Sequence, residues 1–463
     1  MAITGNLGYL LATLSFVLGM IQMNNPGTAK RGNFVMILGM FLAILSTLLL
    51  STNLELDSYW QNWLLIAGLL LLGVALGRKI SFAFEITRMP ELVSLFNGFG
   101  GLSAAFISLA SIIVAFDSVS IGIKILLLGS LYLGVMTFSA SILAFLKLGG
   151  KFGISFSKNQ AFTGITLIFS IILIVQAIFT ESYSEFIVYI ALLFIFSLFN
   201  GIFFANGVGG ADMPVLISVL NGLTGIITTI SGVYFENTIM ILLGVFVGFT
   251  GVILTIQMSR AMNTSLGRVF FSKRKKQSST SGAVSYTNIQ ETTAAKIATE
   301  LAFTRRVVIV PGFGLAVAQA QKLCFELKEH LSELDIELKF VIHPVAGRMP
   351  GHMNVLLAEA NISYDDILDL EKGNEYLSES DYCFIIGAND VVNIAAELDE
   401  NSPIFGMPII QTYKAKKVVV IKRSLANGYA GISNPLFDLD RCYLLLADAK
   451  IGLAQIISEL KST

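Results

Sequence analysis

The chain has 463 residues, too many for one ordinary domain, and is 54% hydrophobic with only 14% charged residues. That average excludes an ordinary soluble protein and points to the membrane. The net charge of −1 hides an asymmetry, since most of the charge follows residue 258, and no nucleic-acid partner is implied. The three cysteines, Cys324, Cys383 and Cys442, are isolated and all lie in the polar C-terminal part. They offer no disulfide framework and no metal-ligand spacing, and they suit a reducing compartment.

A bilayer core takes roughly 20 apolar residues per helix. Nine spans are expected, at about 3–23, 32–51, 60–77, 90–116, 121–146, 161–180, 185–204, 213–235 and 238–258. The first, "MAITGNLGYLLATLSF", lacks a basic leader and a cleavage site and reads as a retained helix. Loop charges alternate in sign. Lys30 and Arg31 follow the first span, Glu55 and Asp57 the second, and Arg78, Lys79 and Arg88 the third. Asp117 follows the fourth span, Lys147, Lys151 and Lys158 the fifth, and Glu181 the sixth. Loop seven carries Asp212, loop eight Glu236, and the last flank, "GRVFFSKRKK", is basic, with Lys124 the one basic residue near an outer loop. By the positive-inside rule the N-terminus lies outside and the C-terminal part on the cytoplasmic side.

One pattern occurs twice: "MPELVSLFNGFGG" at 89–101 and "MPVLISVLNGLTG" at 213–225. Proline opens each helix, and Ser, Asn and Gly recur at equal offsets. Two readings stand side by side. An amide at membrane depth is costly unless paired, which makes Asn97 and Asn221 functional candidates; or the small residues only let helices pack closely. Ser141 is a further polar point, and Asn200-Gly201 reads as packing. Glu91 and Asp212 sit at span ends, where a carboxylate suits a helix start. All three histidines, His330, His343 and His352, lie outside the bundle. Haem held by membrane histidines is therefore excluded, and no span has an Asp, Glu, His, Lys or Arg near its centre.

From 260 to 300 a basic, then Ser/Thr-rich connector ends in a short helix in "ETTAAKIATELAF". Strands are then expected at 306–310, 338–342, 382–386, 418–421 and 443–446, and helices at 314–332, 352–361, 390–397 and 448–461. This alternation predicts a Rossmann-like, doubly wound parallel sheet whose ligand sits at the carboxyl ends of the strands. The chain thus divides into a helical membrane bundle at 1–259, a linker at 260–300 and an α/β domain at 301–463.

The first strand ends in Gly312-Phe313-Gly314, with Val317 where a third glycine often stands. Such a turn suits a pyrophosphate at a helix start. The second ends in His343, without the acid that holds an NAD ribose. His343 is either a satisfied core residue or the one group titrating near neutrality. The third ends in Asn389-Asp390, a helix cap or a ligand contact. The fourth ends in Lys422-Arg423-Ser424, which is either a solvated basic strand end or a grip on a 2′-phosphate. "NGYAG" at 427–431 reads as a glycine-hinged flap.

In order, HPVAGRMPGHMNVLLAEA, IGANDVVN, FGMP, VIKRS, GYAG and NPLF, with GADMP at 210–214, resemble the β subunit of proton-translocating NAD(P) transhydrogenases. The resemblance implies an NADP(H)-binding domain with the nucleotide in a flipped orientation. By motif, Gly312, Phe313 and Gly314 lie by the ligand, with the loop of Val345, Ala346, Gly347, Arg348, Met349 and Pro350 against it. Gly387, Ala388, Asn389, Asp390 and Val391 approach the nicotinamide and pyrophosphate, and Gly406, Met407, Asp448 and Ala449 also line the site. Lys422, Arg423 and Ser424 hold the 2′-phosphate, and Gly428 and Tyr429 form the flap. Asp390, with Asn389 and His343, makes the candidate chemistry-bearing set, and Asp390 is tied to protonation. Asn97, Ser141, Asp212 and Asn221 fall on positions tied to proton passage. Some members carry histidine where this chain has Asn97, so the titrating group is expected from a membrane helix of the partner. No metal is implied.

One dinucleotide fold cannot hold both ends of a hydride transfer. NAD(H) is therefore expected on a partner α subunit, in a homodimer of αβ units in a bacterial cytoplasmic membrane. The rival reading is a nucleotide-gated channel or transporter with a regulatory Rossmann domain, although no potassium-filter string such as TVGYG occurs.

Overall fold

The computed structural model describes residues 2–23, 27–50, 60–116, 118–150, 159–209, 212–271, 288–347, 351–428 and 430–462. The loop charges Glu55, Asp57, Asp117, Lys151 and Lys158 and the basic part of the connector, 272–287, lie outside them. The chain divides into two compact units: Met1–Asn206 with Val219–Val252, and Gly207–Ser218 with Ile253–Thr463.

The apolar part forms α1 (Ala2–Met23), α2 (Ala29–Leu50), α3 (Trp60–Ala83), α4 (Met89–Val114), α5 (Ile121–Leu148), α6 (Asn159–Phe179), α7 (Tyr183–Gly207), α8 (Met213–Tyr234) and α9 (Thr238–Ala261). Among the described residues eight helices, α2 to α9, are long and apolar enough to cross a membrane, and Leu7–Met23 of α1 is a shorter apolar helix. Leucine, isoleucine and phenylalanine are exposed around these helices, as lipid contact requires and water would penalise. The ends differ from expectation where helix propensity outlasts apolarity. Thus α3 runs on through Arg78 and Lys79, and α5 continues past Lys147 until Gly149-Gly150, where Gly150 takes φ +68.

Helix α4 lies along α5. Gly101 and Gly134 make that approach possible: a Cβ at Gly134 would stand 2.6 Å from the Gly101 oxygen, and one at Gly101 would meet the Gly134 oxygen at 3.0 Å. A short helix, α10 (Leu266–Phe271), follows the bundle.

The polar part is a seven-stranded, all-parallel sheet. Its strands are β1 (Gln290–Glu291), β2 (Arg306–Pro311), β3 (Glu337–Val341), β4 (Ile367–Leu368), β5 (Tyr382–Ile386), β6 (Lys417–Lys422) and β7 (Cys442–Leu446), in the order β1-β7-β6-β5-β2-β3-β4. The five expected strands are present. β1 and β4, two residues each, are additions too short to show a pattern in the sequence. The order reverses between β2 and β5, the switch point at which such sheets bind ligands.

Strands β2, β5 and β6 are buried on both faces, as a parallel sheet requires. On one face Val308, Val310, Cys383, Ile385, Val418 and Val420 pack with Leu377, Ile410, Leu436 and Phe437. The other face is covered by α11 (Ala294–Leu301), α13 (Gln321–Glu333) and α17 (Ala449–Ser462), which pack together. Gly452 lets α17 settle on Ile421 and Leu445. α14 (His352–Glu359), α15 (Leu370–Leu377) and α16 (Ala395–Leu398) complete the unit. All three cysteines are free and buried.

Candidate functional site

The switch point is built from backbone. Gly312 N–H donates to the Ile386 oxygen at 2.9 Å and Gly314 N–H to the Gly387 oxygen at 3.0 Å. A Cβ at Gly314 would lie 2.7 Å from Gly387 Cα, and one at Gly387, whose φ is +67, would lie 2.6 Å from Leu315 N. The glycines therefore bring the β2 and β5 turns into direct contact. The expected long helix after them is broken. α12 (Phe313–Val317) ends, Gln319 takes φ +52, and α13 starts at Gln321.

His343 closes the β3 end. It is buried; its Nδ1 accepts from Val345 N–H at 3.2 Å and its Nε2 donates to the Pro408 oxygen at 2.7 Å. A ring nitrogen that accepts from a backbone N–H carries no proton, so the ring is neutral. Burial pushes its pKa below the ordinary value, with the Pro408 carbonyl pulling the other way. The ring thereby ties the Val345–Ala346–Gly347 turn to Gly406 and Met407, two predicted contacts from a distant stretch. Gly347 at φ +97 lies against the His352 ring, and Gly406 takes φ +77. Arg348, Met349, Pro350 and Tyr429 lie outside the described residues.

At the β6 end Lys422 is half-buried. Its Nζ donates to the Ala426 oxygen at 2.7 Å and lies 4.9 Å from the Phe437 ring centre. Burial lowers its pKa, and the Asp390 carboxylate pulls it back up. Arg423 and Ser424 are exposed, and the Arg423 guanidinium makes no ion pair or hydrogen bond among the described residues. Asp390 Oδ2 accepts from Ala430 N–H at 2.9 Å, and Gly428 packs on the same carboxylate. Asp448 accepts from Lys450 N–H at 3.0 Å and starts α17, with Ala449 buried behind it.

The fold thus gathers the predicted residues of β2, β3, β5, β6 and β7 at one carboxyl edge. A nucleotide carrying a 2′-phosphate fits the chemistry present: an uncommitted guanidinium, a lysine and a hydroxyl on one strand end, and no carboxylate at the β3 end. Sequence reasoning missed Asn393 and Asn434, both fully buried. Asn434 stands in the quoted NPLF string, where Asn before Pro signals only a turn.

In the bundle, Asn97 Nδ2 donates to Ser141 Oγ at 3.1 Å, and Asn97 Oδ1 accepts from Thr224 Oγ1 at 3.1 Å. Ser94 Oγ donates to the Ser141 oxygen at 2.9 Å. Thr224 was also missed; it occupies the offset of Gly100 in the repeat, and a Cβ at Gly100 would meet its methyl at 3.4 Å. Asn221 is half-buried and makes no side-chain hydrogen bond among the described residues. Asp212 precedes α8, and its carbonyl accepts from Val215 and Leu216 N–H. The repeated glycines pack: Gly98 on Ser141, Gly101 on Thr137, Gly225 on Gly248. So the two readings of the motif divide, glycines for packing and Asn97 for a polar link.

Gly201 packs on α5 as expected, but Asn200 is a polar hub. It accepts from Tyr132 Oη at 3.1 Å and donates to the Thr163 oxygen and Thr166 Oγ1. Glu91 is buried and pairs with Arg88 at 2.5 Å, which adds to its helix-start role.

The profile of the family described as NAD(P) transhydrogenase beta subunit matches residues 5–459. Two relatives, from Rhodospirillum rubrum and from a designated strain of it, are both named NAD(P) transhydrogenase subunit beta. Each is 36% identical over 465 residues, covering 98% of this chain and 98% of the relative. A family match across nearly the whole length, on a bundle of membrane-length helices followed by a Rossmann-like sheet, leaves one assignment: the chain belongs to the NAD(P) transhydrogenase beta subunit family.

Proposed function

We propose that the chain binds NADP(H) at the carboxyl edge of its sheet. Hydride passes between that nucleotide and NAD(H) on a partner α subunit, and the exchange is coupled to proton passage through the bundle, making NADPH. The observation that carries the reading is the β6 end, where Arg423 is exposed and, among the described residues, uncommitted beside Lys422 and Ser424, while β3 ends in a buried neutral histidine.

The nucleotide, when bound, supplies the ring that gives up or accepts hydride. The chain's own residues do the rest. Arg423, Lys422 and Ser424 hold the 2′-phosphate, and Gly312 to Gly314 with Gly387 to Val391 form the floor beneath the dinucleotide. Val345 to Pro350, Gly406, Met407, Asp448 and Ala449 wall it. Gly428 and Tyr429 cover it, and Asp390 links that cover to protonation. One dinucleotide fold per chain requires the second nucleotide to come from the α subunit.

The division of labour follows the expected boundaries: 1–259 for the proton path, 260–300 as connector and 301–463 for the nucleotide. Asn97, Ser141, Asp212 and Asn221 serve the path by ordering water. The titrating group comes from a membrane helix of the partner. Alternating loop charge supports a cytoplasmic C-terminal domain, an outer N-terminus and a bacterial cytoplasmic membrane; the assembly is a homodimer of αβ units. A charge crossing the membrane gains about 2.3 kcal/mol per 100 mV, which reaches the nucleotide as a change in how tightly the domain holds it.

The test has two arms. The purified full chain is titrated with NADPH and with NADH, and is then mixed with its α subunit and assayed for reduction of an NADP analogue by NADH. Preference for NADPH with transfer is expected. Equal affinity for both nucleotides would remove the 2′-phosphate grip, and binding without transfer would return the chain to a regulatory role.

A further inference from the structure

Two buried amides join the segments that carry Asp390 and Gly428. Asn434 and Asn393 are both fully buried, and a buried carboxamide is held only where its donor and acceptor are met. Asn434 Oδ1 accepts from Leu436 N–H at 3.1 Å and starts the turn Pro435–Asp438. Its Nδ2 donates across the loop to the backbone oxygen and the Oδ1 of Asn389, each at 3.3 Å. Asn393 does the reverse: Oδ1 accepts from Ala395 N–H at 3.0 Å, and Nδ2 donates to the Ser433 oxygen at 3.0 Å.

The bonds from Asn434 decide which way the Asn389 carboxamide faces. With Oδ1 turned to Asn434, the Nδ2 of Asn389 is left as a donor. It has no partner among the described residues, at the carboxyl end of β5. An oriented and uncommitted N–H pair beside a nucleotide site suits an acceptor oxygen of the ligand, an amide carbonyl or a phosphate.

We propose that Asn434 is a positioning residue that locks the Asn389 carboxamide with its Nδ2 presented to an acceptor oxygen of the bound nucleotide, a role that rests on the NADP(H) reading above. Asn393 holds Ser433, next to Asn434, in place for this. The lock acts through Asn389 alone, which separates it from a role in folding.

Asn434→Asp isolates the lock. The new carboxylate keeps an oxygen for Leu436 N–H, but it offers no donor to Asn389 and draws the Asn389 Nδ2 toward itself. NADPH affinity of the full chain is measured for the parent, N434D, N389A and the double variant, with the thermal midpoint as a folding control; Asn434→Ser replaces N434D should that variant not assemble. N434D and N389A are each expected to weaken NADPH roughly tenfold, the scale of one lost hydrogen bond, and the double variant no more than N389A alone. Parent-like binding by N434D, or a full additional loss in the double variant, overturns the lock while the function stands. A parent that binds no NADPH overturns both.

Discussion

Gly428 packs against the carboxylate of Asp390: a Cβ at Gly428 would stand 2.6 Å from Asp390 Cγ, and two residues on, Ala430 N–H donates to Asp390 Oδ2 at 2.9 Å. The two segments come from 38 residues apart in sequence, and only the absent side chain of glycine lets them meet. Since Asp390 also lies close enough to Lys422 to pull its pKa upward, a single carboxylate faces both the proposed phosphate grip and the proposed cover.

Gly428→Ala should therefore disturb both together. Its methyl must displace either the Asp390 carboxylate or the 428–430 segment, an overpacking cost of about 1–3 kcal/mol. Faster NADP(H) release is expected in stopped-flow nucleotide fluorescence of the full chain. A release rate equal to the parent's would show that this contact does not bear on the nucleotide.

Arg423 is the sharper probe of selectivity, because no internal contact accompanies its loss among the described residues. Arg423→Gln should cut the preference for NADPH over NADH by roughly 10- to 100-fold, the scale of one charged hydrogen-bond pair, and leave NADH affinity unchanged. Lys422 adds a pH signature. Burial lowers its pKa from 10.5, so in the free protein its charge is lost at less alkaline pH than an ordinary lysine's. NADPH affinity should weaken over that alkaline range, and R423Q should make the slope steeper. Affinity that stays flat until ordinary lysine ionisation would remove Lys422 from the grip.

Much of this architecture was legible in the sequence, and the misses have physical causes. Apolar runs and alternating loop charge mark the spans because a bilayer penalises anything else. Strands buried on both faces read as unbroken apolar stretches such as "VVVI". What local pattern cannot show is pairing across long separations. Thr224 meets Asn97 across 127 residues, and Asn434 meets Asn389 across 45, each a single polar letter in a segment with another evident purpose. His343 looked equally suited to titration and to core packing; only the Pro408 carbonyl, 65 residues away, fixes its proton on Nε2. The break at Gln319 was equally hidden, since an alanine-rich run carries helix propensity through it.

His343 should leave a mark on stability. Its pKa is lower in the folded chain than the ordinary 6.5, so below about 6.5 the unfolded chain binds more protons. Its contribution is complete above that pH and is lost as pH falls toward the folded value. His343→Asn keeps an acceptor for Val345 N–H, loses the Pro408 bond at about 1 kcal/mol, and removes this part of the acid sensitivity. Thermal melting of parent and variant across the window checks it. Curves that stay parallel as pH falls would mean that His343 does not titrate between the two states.

The bundle offers the last test, at Thr224. Its hydroxyl is the only hydrogen-bond partner of Asn97 Oδ1 among the described residues, and Asn97 in turn holds Ser141. Thr224→Val is nearly isosteric, so the gap between α4 and α8 stays filled while one amide acceptor is stranded in an apolar interior. Interhelical bonds of this kind contribute about 0.6–1.7 kcal/mol, enough to turn the amide without unfolding the bundle. If Asn97 orders the water through which protons pass, turning it slows proton uptake, while the proposed nucleotide grip on the sheet, which shares no residue with this link, is untouched. Proteoliposomes holding the complete αβ assembly and a pH-sensitive dye measure the first, and nucleotide titration the second. T224V should lower proton-coupled transfer several-fold at unchanged NADPH affinity. Unaltered pumping would mean that the Asn97–Thr224 link only packs α4 against α8, and equal losses in pumping and affinity would point to a bundle that no longer assembles.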